Sequence, residues 1–208
     1  MLDIFFPKTT LHAPEPSPTH PGALLFFEGG VVSFPSINTT IDGEESTMIR
    51  QIISRSSLWT NSREAKATPP LHYHLYQKER FRCLKGRMLY IRDGKQGSVN
   101  PGEEILILPR QVHTFWPDTS VDDDLDVEIS TSAGGFDEYF LNSFFGYVSS
   151  CIAENVEPNP VQIFMMLDSA DVVLGDLPTV IARALNVGAR WLGWAVGYKT
   201  RYKVFSQL

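Results

Sequence analysis

Four side chains between positions 72 and 113 have the types and the spacing to hold a metal ion. His72 and His74 are two residues apart, Glu79 follows five later, and His113 lies beyond them. On a strand, residues i and i+2 point to the same side, so the two histidines share one face and Tyr73 takes the other. A glutamate at the start of a neighbouring antiparallel strand reaches the same point in space. His113 opens a further predicted strand after the stop at Pro109. Three imidazoles and one carboxylate form a mixed N/O set. It suits one divalent transition metal (iron, manganese, nickel or zinc) that keeps positions open for substrate. A His-x-His pair alone is as readily two surface histidines. Three of the chain's five histidines in one β-rich region favour the metal.

The elements that must position these groups are strands. LLFFEGGVVSF reads as two short strands around a Gly-Gly turn, and STMIRQIISR alternates apolar with polar. ERFRCLKGRMLYIRDGKQGSV gives a strand, a break at Gly86, a second strand and an Asp-Gly turn. EEILILP and LDVEIST are further strands. Short strands with turn punctuation predict a sandwich or barrel over residues 23–133. Before it, residues 1–22 form an N-terminal arm; five prolines between 7 and 22 predict an extended or irregular course. After Gly134-Gly135 the period becomes helical, with Phe136, Phe140, Phe144, Tyr147 and Cys151 in step. VQIFMMLDSADVVL predicts a second helix. A third begins after Pro178, with Gly188 and Gly193 as candidate breaks. Residues 134–208 are thus expected as a helical extension packing on the barrel or on a dimer partner.

Composition narrows the function classes. The chain has 208 residues, 43% hydrophobic and 20% charged, enough to bury a core. A net charge of −6 with scattered Lys and Arg argues against nucleic acid. Cys83 and Cys151 have no metal-type spacing and fit reduced thiols in a cytoplasmic protein. MLDIFFPKTT lacks the basic and apolar regions of a secretory signal, and no apolar run is long enough to cross a membrane. Asp122-Asp123-Asp124 lacks the glycine and distal glutamate of a calcium loop and reads as a solvated turn. Dinucleotide, phosphate-loop and nucleophile-elbow motifs are missing.

HYHLYQKERFRCLKG, written H-x-H-x4-E-x6-G, resembles the first motif of the cupin superfamily, with His72, His74, Glu79 and Gly86 in matching positions. GEEILILPRQVH resembles the second, through Gly102, Pro109 and His113. The second motif departs in having one extra residue before Pro109, and Gln111 stands where glycine is usual. The resemblance covers roughly residues 45 to 131. It implies a mainly β fold, a single jelly-roll β-barrel with the metal in its mouth, here followed by a C-terminal α-helical extension. It also implies a homodimer and a kinship with small cupins of fungal biosynthetic pathways.

Strand alternation then predicts the pocket. If Glu79 points inward, so do Phe81 and Cys83; if His113 does, so does Phe115; Met88 and Tyr90 line the next strand. Plain core filling is the competing reading for these side chains. An apolar pocket beside an open metal suits a small hydrophobic substrate, aromatic or polyketide-like. Three functions follow: an oxidoreductase of dioxygenase type; a redox-neutral isomerase, decarboxylase, dehydratase or cyclase with Glu79 as catalytic base; or a binding protein without catalysis.

Overall fold

The computed structural model describes residues 8–132 and 134–206. The first seven residues of the N-terminal segment read above as lacking a signal lie outside the described residues. In chain order the strands are β1 (Glu15–Pro16), β2 (Leu24–Phe26), β3 (Val31–Ser33), β4 (Ile37–Ile41), β5 (Glu44–Ile53), β6 (His72–His74) and β7 (Glu79–Lys85). They continue with β8 (Met88–Arg92), β9 (Lys95–Val99), β10 (Glu104–Ile107), β11 (His113–Pro117) and β12 (Leu125–Ser132). Helices α1 (Glu138–Ala153) and α2 (Pro160–Ser169), strand β13 (Val172–Leu174) and helix α3 (Thr179–Ala195) complete the chain, with a 3-10 turn at Lys203–Phe205.

Two antiparallel sheets face each other as a jelly-roll barrel. One runs β1-β2-β3-β5-β12-β7-β10, with β4 also paired to β5; the other runs β13-β6-β11-β8-β9. The backbone register across β5, β12 and β7 puts Ile49, Ile129 and Phe81 on one level. All three are buried, and the core continues from them to Phe140, Tyr147 and Cys151 of α1. Gly86 turns the chain from β7 to β8 at φ +72°, where a Cβ would stand 2.5 Å from the Asp124 carbonyl oxygen. That close approach and the left-handed backbone both require glycine.

Three local expectations change. The proline-rich arm places Glu15 and Pro16 against Leu25 and Leu24 at the sheet edge, where a missing amide donor is tolerated. The tail of the second predicted helix is instead β13, which pairs Val172, Val173 and Leu174 with His74, Tyr73 and His72. The open edge of β6 needs those hydrogen bonds, and this need overrides the helical period. Helix α3 runs unbroken through Gly188 and Gly193. It is tied to β13 by Asn186 Nδ2 donating to the Val172 carbonyl at 2.9 Å. No helix among the described residues is long and apolar enough to cross a membrane.

Candidate functional site

Strand β6 presents His72 and His74 to the barrel interior, while Tyr73 packs outward with Leu75, Val173 and Ala182 beneath α3. His113 stands opposite His72 on the adjacent strand β11. Glu79 does not come from a neighbouring strand, as expected from the spacing. Residues 75 to 78 carry the chain across to the facing sheet, so the carboxylate meets the three imidazoles from the other wall. All four side chains are buried, and one ligand atom from each lies within 4.8 Å of the others.

The hydrogen bonds set the rings. His72 Nδ1 donates to the Pro70 carbonyl at 2.8 Å, and His113 Nδ1 to the Gln111 carbonyl at 2.9 Å. Both leave Nε2 turned toward the cluster, as backbone carbonyls behind a metal-ligating histidine do. The turn supplying the second carbonyl puts Arg110 at φ +68°. Its backbone N–H donates to the His74 carbonyl. Gln111, in place of the usual glycine, accepts from the Leu108 amide and donates to Asp93. His113 Nε2 lies 2.7 Å from Glu79 Oε2. A carbonyl and a carboxylate both only accept, so His113 carries two N–H groups in this arrangement. Its pKa is raised: burial opposes this, and the Glu79 carboxylate outweighs burial. The Glu79 carboxyl is pushed up by burial but held below the usual range by His74 and His113. Burial, then the neighbouring His113 and His74, pushes His72 well below its ordinary value, leaving it neutral and ready to ligate.

His74 supplies the test of fit. Its Nε2 lies 3.3 Å from Glu79 Oε2 but out of line, and neither ring nitrogen has a hydrogen-bond partner among the described residues. Buried polar atoms are rarely left so. A divalent cation held by these four groups would give His74 a partner and would offset the buried carboxylate of Glu79. The donor set fits a divalent transition metal and does not distinguish among iron, manganese, nickel and zinc.

A cavity of about 270 Å³ opens onto His72 and Glu79. Phe115 is on its wall; of the other side chains expected there, none is. Phe81, Cys83 and Met88 do point inward but fill the packed core below, and Tyr90 lies over Gly97 of β9. Alternation gives direction, and depth in the barrel decides the rest. The Cys83 thiol, raised by burial, is a core group. Much of the wall comes from the C-terminal extension. Phe136, Phe140 and Phe144 line one side, in a chain of ring contacts at 5.1 and 5.7 Å. Phe136 also packs edge-on against His74 at 4.9 Å. Val172 and Leu174 share the face of the histidines because β13 is in register with β6. Sequence reasoning saw these phenylalanines as a helical stripe; only their placement shows what they enclose. A larger surface depression lined by Arg50, Arg55, Lys85 and Asp122 to Asp124 is charged and holds none of the four ligand candidates.

No family profile matches the chain. It is 30% identical over 123 residues to "Oxidoreductase iacF" of Pestalotiopsis fici, covering 55% of this chain and 59% of that protein. It is 29% identical over 147 residues to "Probable oxidoreductase virH" of Hypocrea virens, covering 66% and 67%. The chain therefore spans about three fifths to two thirds of these relatives. Among solved structures, the cupin domain of an XRE-family transcriptional regulator from Enterobacter cloacae aligns with a TM-score of 0.35 and 9% identity, over 50% of this chain and 97% of that one.

Proposed function

We propose that this chain, a cupin-type protein by its jelly-roll barrel and its motif residues, is a metal-dependent oxidoreductase acting on a small, largely apolar organic molecule. The observation that carries this reading is the orphaned His74 inside a buried three-histidine, one-glutamate cluster at the end of an apolar chamber. Its similarity to two fungal proteins named as oxidoreductases supports the reaction class.

His72, His74, His113 and Glu79 would hold the ion. Once bound, it supplies a Lewis acid for a substrate oxygen and, if it is iron, manganese or nickel, an electron path to dioxygen. The chain's own groups do the rest. The Pro70 and Gln111 carbonyls fix the tautomers of His72 and His113. Phe115, Phe136 and Phe140 keep water from the reacting end and bind the substrate's apolar body. Glu79, which also lines the chamber, is the group we assign to accept a proton from the substrate.

The test is oxygen uptake by protein loaded separately with iron(II), manganese(II), nickel(II) or zinc(II), against a panel of small aryl ketones and phenols. Uptake with a redox-active ion, lost in His113→Ala, is the expected result. Substrate conversion without oxygen uptake, equally fast with zinc, would replace the oxidoreductase by a redox-neutral enzyme.

A further inference from the structure

We infer that Gln51 is a substrate-recognition residue: its amide forms a second, polar end of the chamber and selects a ligand with a carbonyl or hydroxyl oxygen remote from the histidine cluster. This rests on the reading of the chamber as the substrate site.

Strand β5 alternates Arg50 outward, paired with Asp126 at 2.6 and 2.8 Å, and Gln51 inward between Ile49 and Ile53. Gln51 is 1% exposed and lines the chamber beside Phe27, Phe115 and Phe145. Its Nε2 has no hydrogen-bond partner among the described residues. Those three phenylalanines offer it no partner, and the other polar side chains on the wall outside the cluster, Lys66 and Thr68, donate to Glu157 and to the Ser62 carbonyl. A buried amide without a partner is costly, and such a group in a binding cavity commonly serves the ligand.

The register places it. Gln51 is level with Val127 of β12, and Glu79 is level with Thr131. Four residues along the strand separate the two levels, about 13 Å at the usual rise. Ile129 occupies the level between and is on the wall. A ligand spanning the chamber therefore meets the cluster at one end, the apolar level of Ile129 in the middle, and at the other end Gln51, whose Nε2 has no partner among the described residues. An oxygen-bearing group there satisfies Gln51; a hydrocarbon leaves it unpaired.

A recess of about 20 Å³ beside Gln51, touched also by Thr60 and Thr68, has room for one water, which is the competing arrangement. The Thr60 and Thr68 hydroxyls donate to the Ser54 and Ser62 carbonyls and keep lone pairs that such a water can donate to, so a water held there would satisfy Gln51 without a ligand and would leave the probe preference unchanged in the variants below.

The probes are 1-tetralone and tetralin, which share a bicyclic carbon frame and differ by one carbonyl. Their dissociation constants are measured on the full chain, wild type and Gln51→Leu, without added metal. The expected result is that the preference for tetralone over tetralin falls about tenfold in Gln51→Leu, while tetralin binding changes by no more than about twofold. Gln51→Met, closer in length, is the second variant and should give the same loss. An unchanged ratio in a folded variant, or no binding of either probe to wild type, overturns the inference. Oxygen uptake is scored separately. Loss of that activity with probe selectivity intact would count against the oxidoreductase and leave Gln51 in place; the converse would do the opposite.

Discussion

Replacing His74 by alanine separates a metal ligand from a core residue, because the two roles predict different energies. Truncating a buried side chain of this size ordinarily costs about 2–5 kcal/mol. His74 carries two buried nitrogens without hydrogen-bond partners among the described residues, and each such group penalises the fold by about 1–3 kcal/mol. The terms oppose, so metal-free His74→Ala should differ from metal-free wild type by no more than about 1–2 kcal/mol. Metal changes the comparison. A ligand at a hundredfold its dissociation constant stabilises the native state by about 2.7 kcal/mol. For a chain of this length each kcal/mol moves the midpoint by about 2–4 °C, so loading should raise Tm by roughly 5–11 °C in wild type. His74→Ala should lose most of that rise. The assay is thermal unfolding of both proteins, with chelator and with one divalent ion at a time. A variant that keeps the full metal-linked rise refutes the assignment of His74. So does one that loses more than about 3 kcal/mol with chelator present.

Other perturbations test the surroundings. Phe140→Ala removes the middle ring of the Phe136–Phe140–Phe144 run and should cost about 3–5 kcal/mol in urea unfolding, with weaker binding of apolar probes. Gly86→Ala forces a Cβ against the Asp124 carbonyl at positive φ and should destabilise by more than about 1 kcal/mol, seen in the same assay. The Asp118 carboxyl is raised by burial but lowered overall by the Ser120 amide and hydroxyl and by Arg87, which donates at 2.6 Å. A lowered folded-state pKa gives stability that is full above the unfolded value of about 3.9 and is lost as pH falls through the folded one. Asp118→Asn should therefore cost about 1–3 kcal/mol at pH 7, and the deficit should close only below about pH 4.

The clustering of the three histidines was legible because strand geometry is local. Two-residue spacing puts His72 and His74 on one face whatever surrounds them, and a stop at Pro109 sets the start of the strand bearing His113. The origin of Glu79 was less legible, since nothing in residues 75 to 78 says whether the turn returns to the same sheet or crosses to the other. The chamber was largely hidden. Phe136 to Phe144 read as a helix face with an unspecified partner, and Val172 to Leu174 continued the helical pattern of α2. Only the free edge of β6 makes those three residues a strand and turns Val172 and Leu174 toward the histidines. Gln51 gave no signal, because one polar residue in an alternating strand reads as a solvent-facing position until the register shows otherwise.

The most direct test of the account is transition-metal analysis of protein purified without a histidine tag, beside His72→Ala and His113→Ala. The account predicts close to one ion per chain in wild type and sharply less in both variants, with β-sheet content by circular dichroism unchanged. Full metal in both variants, or none in wild type even after reconstitution, would contradict it.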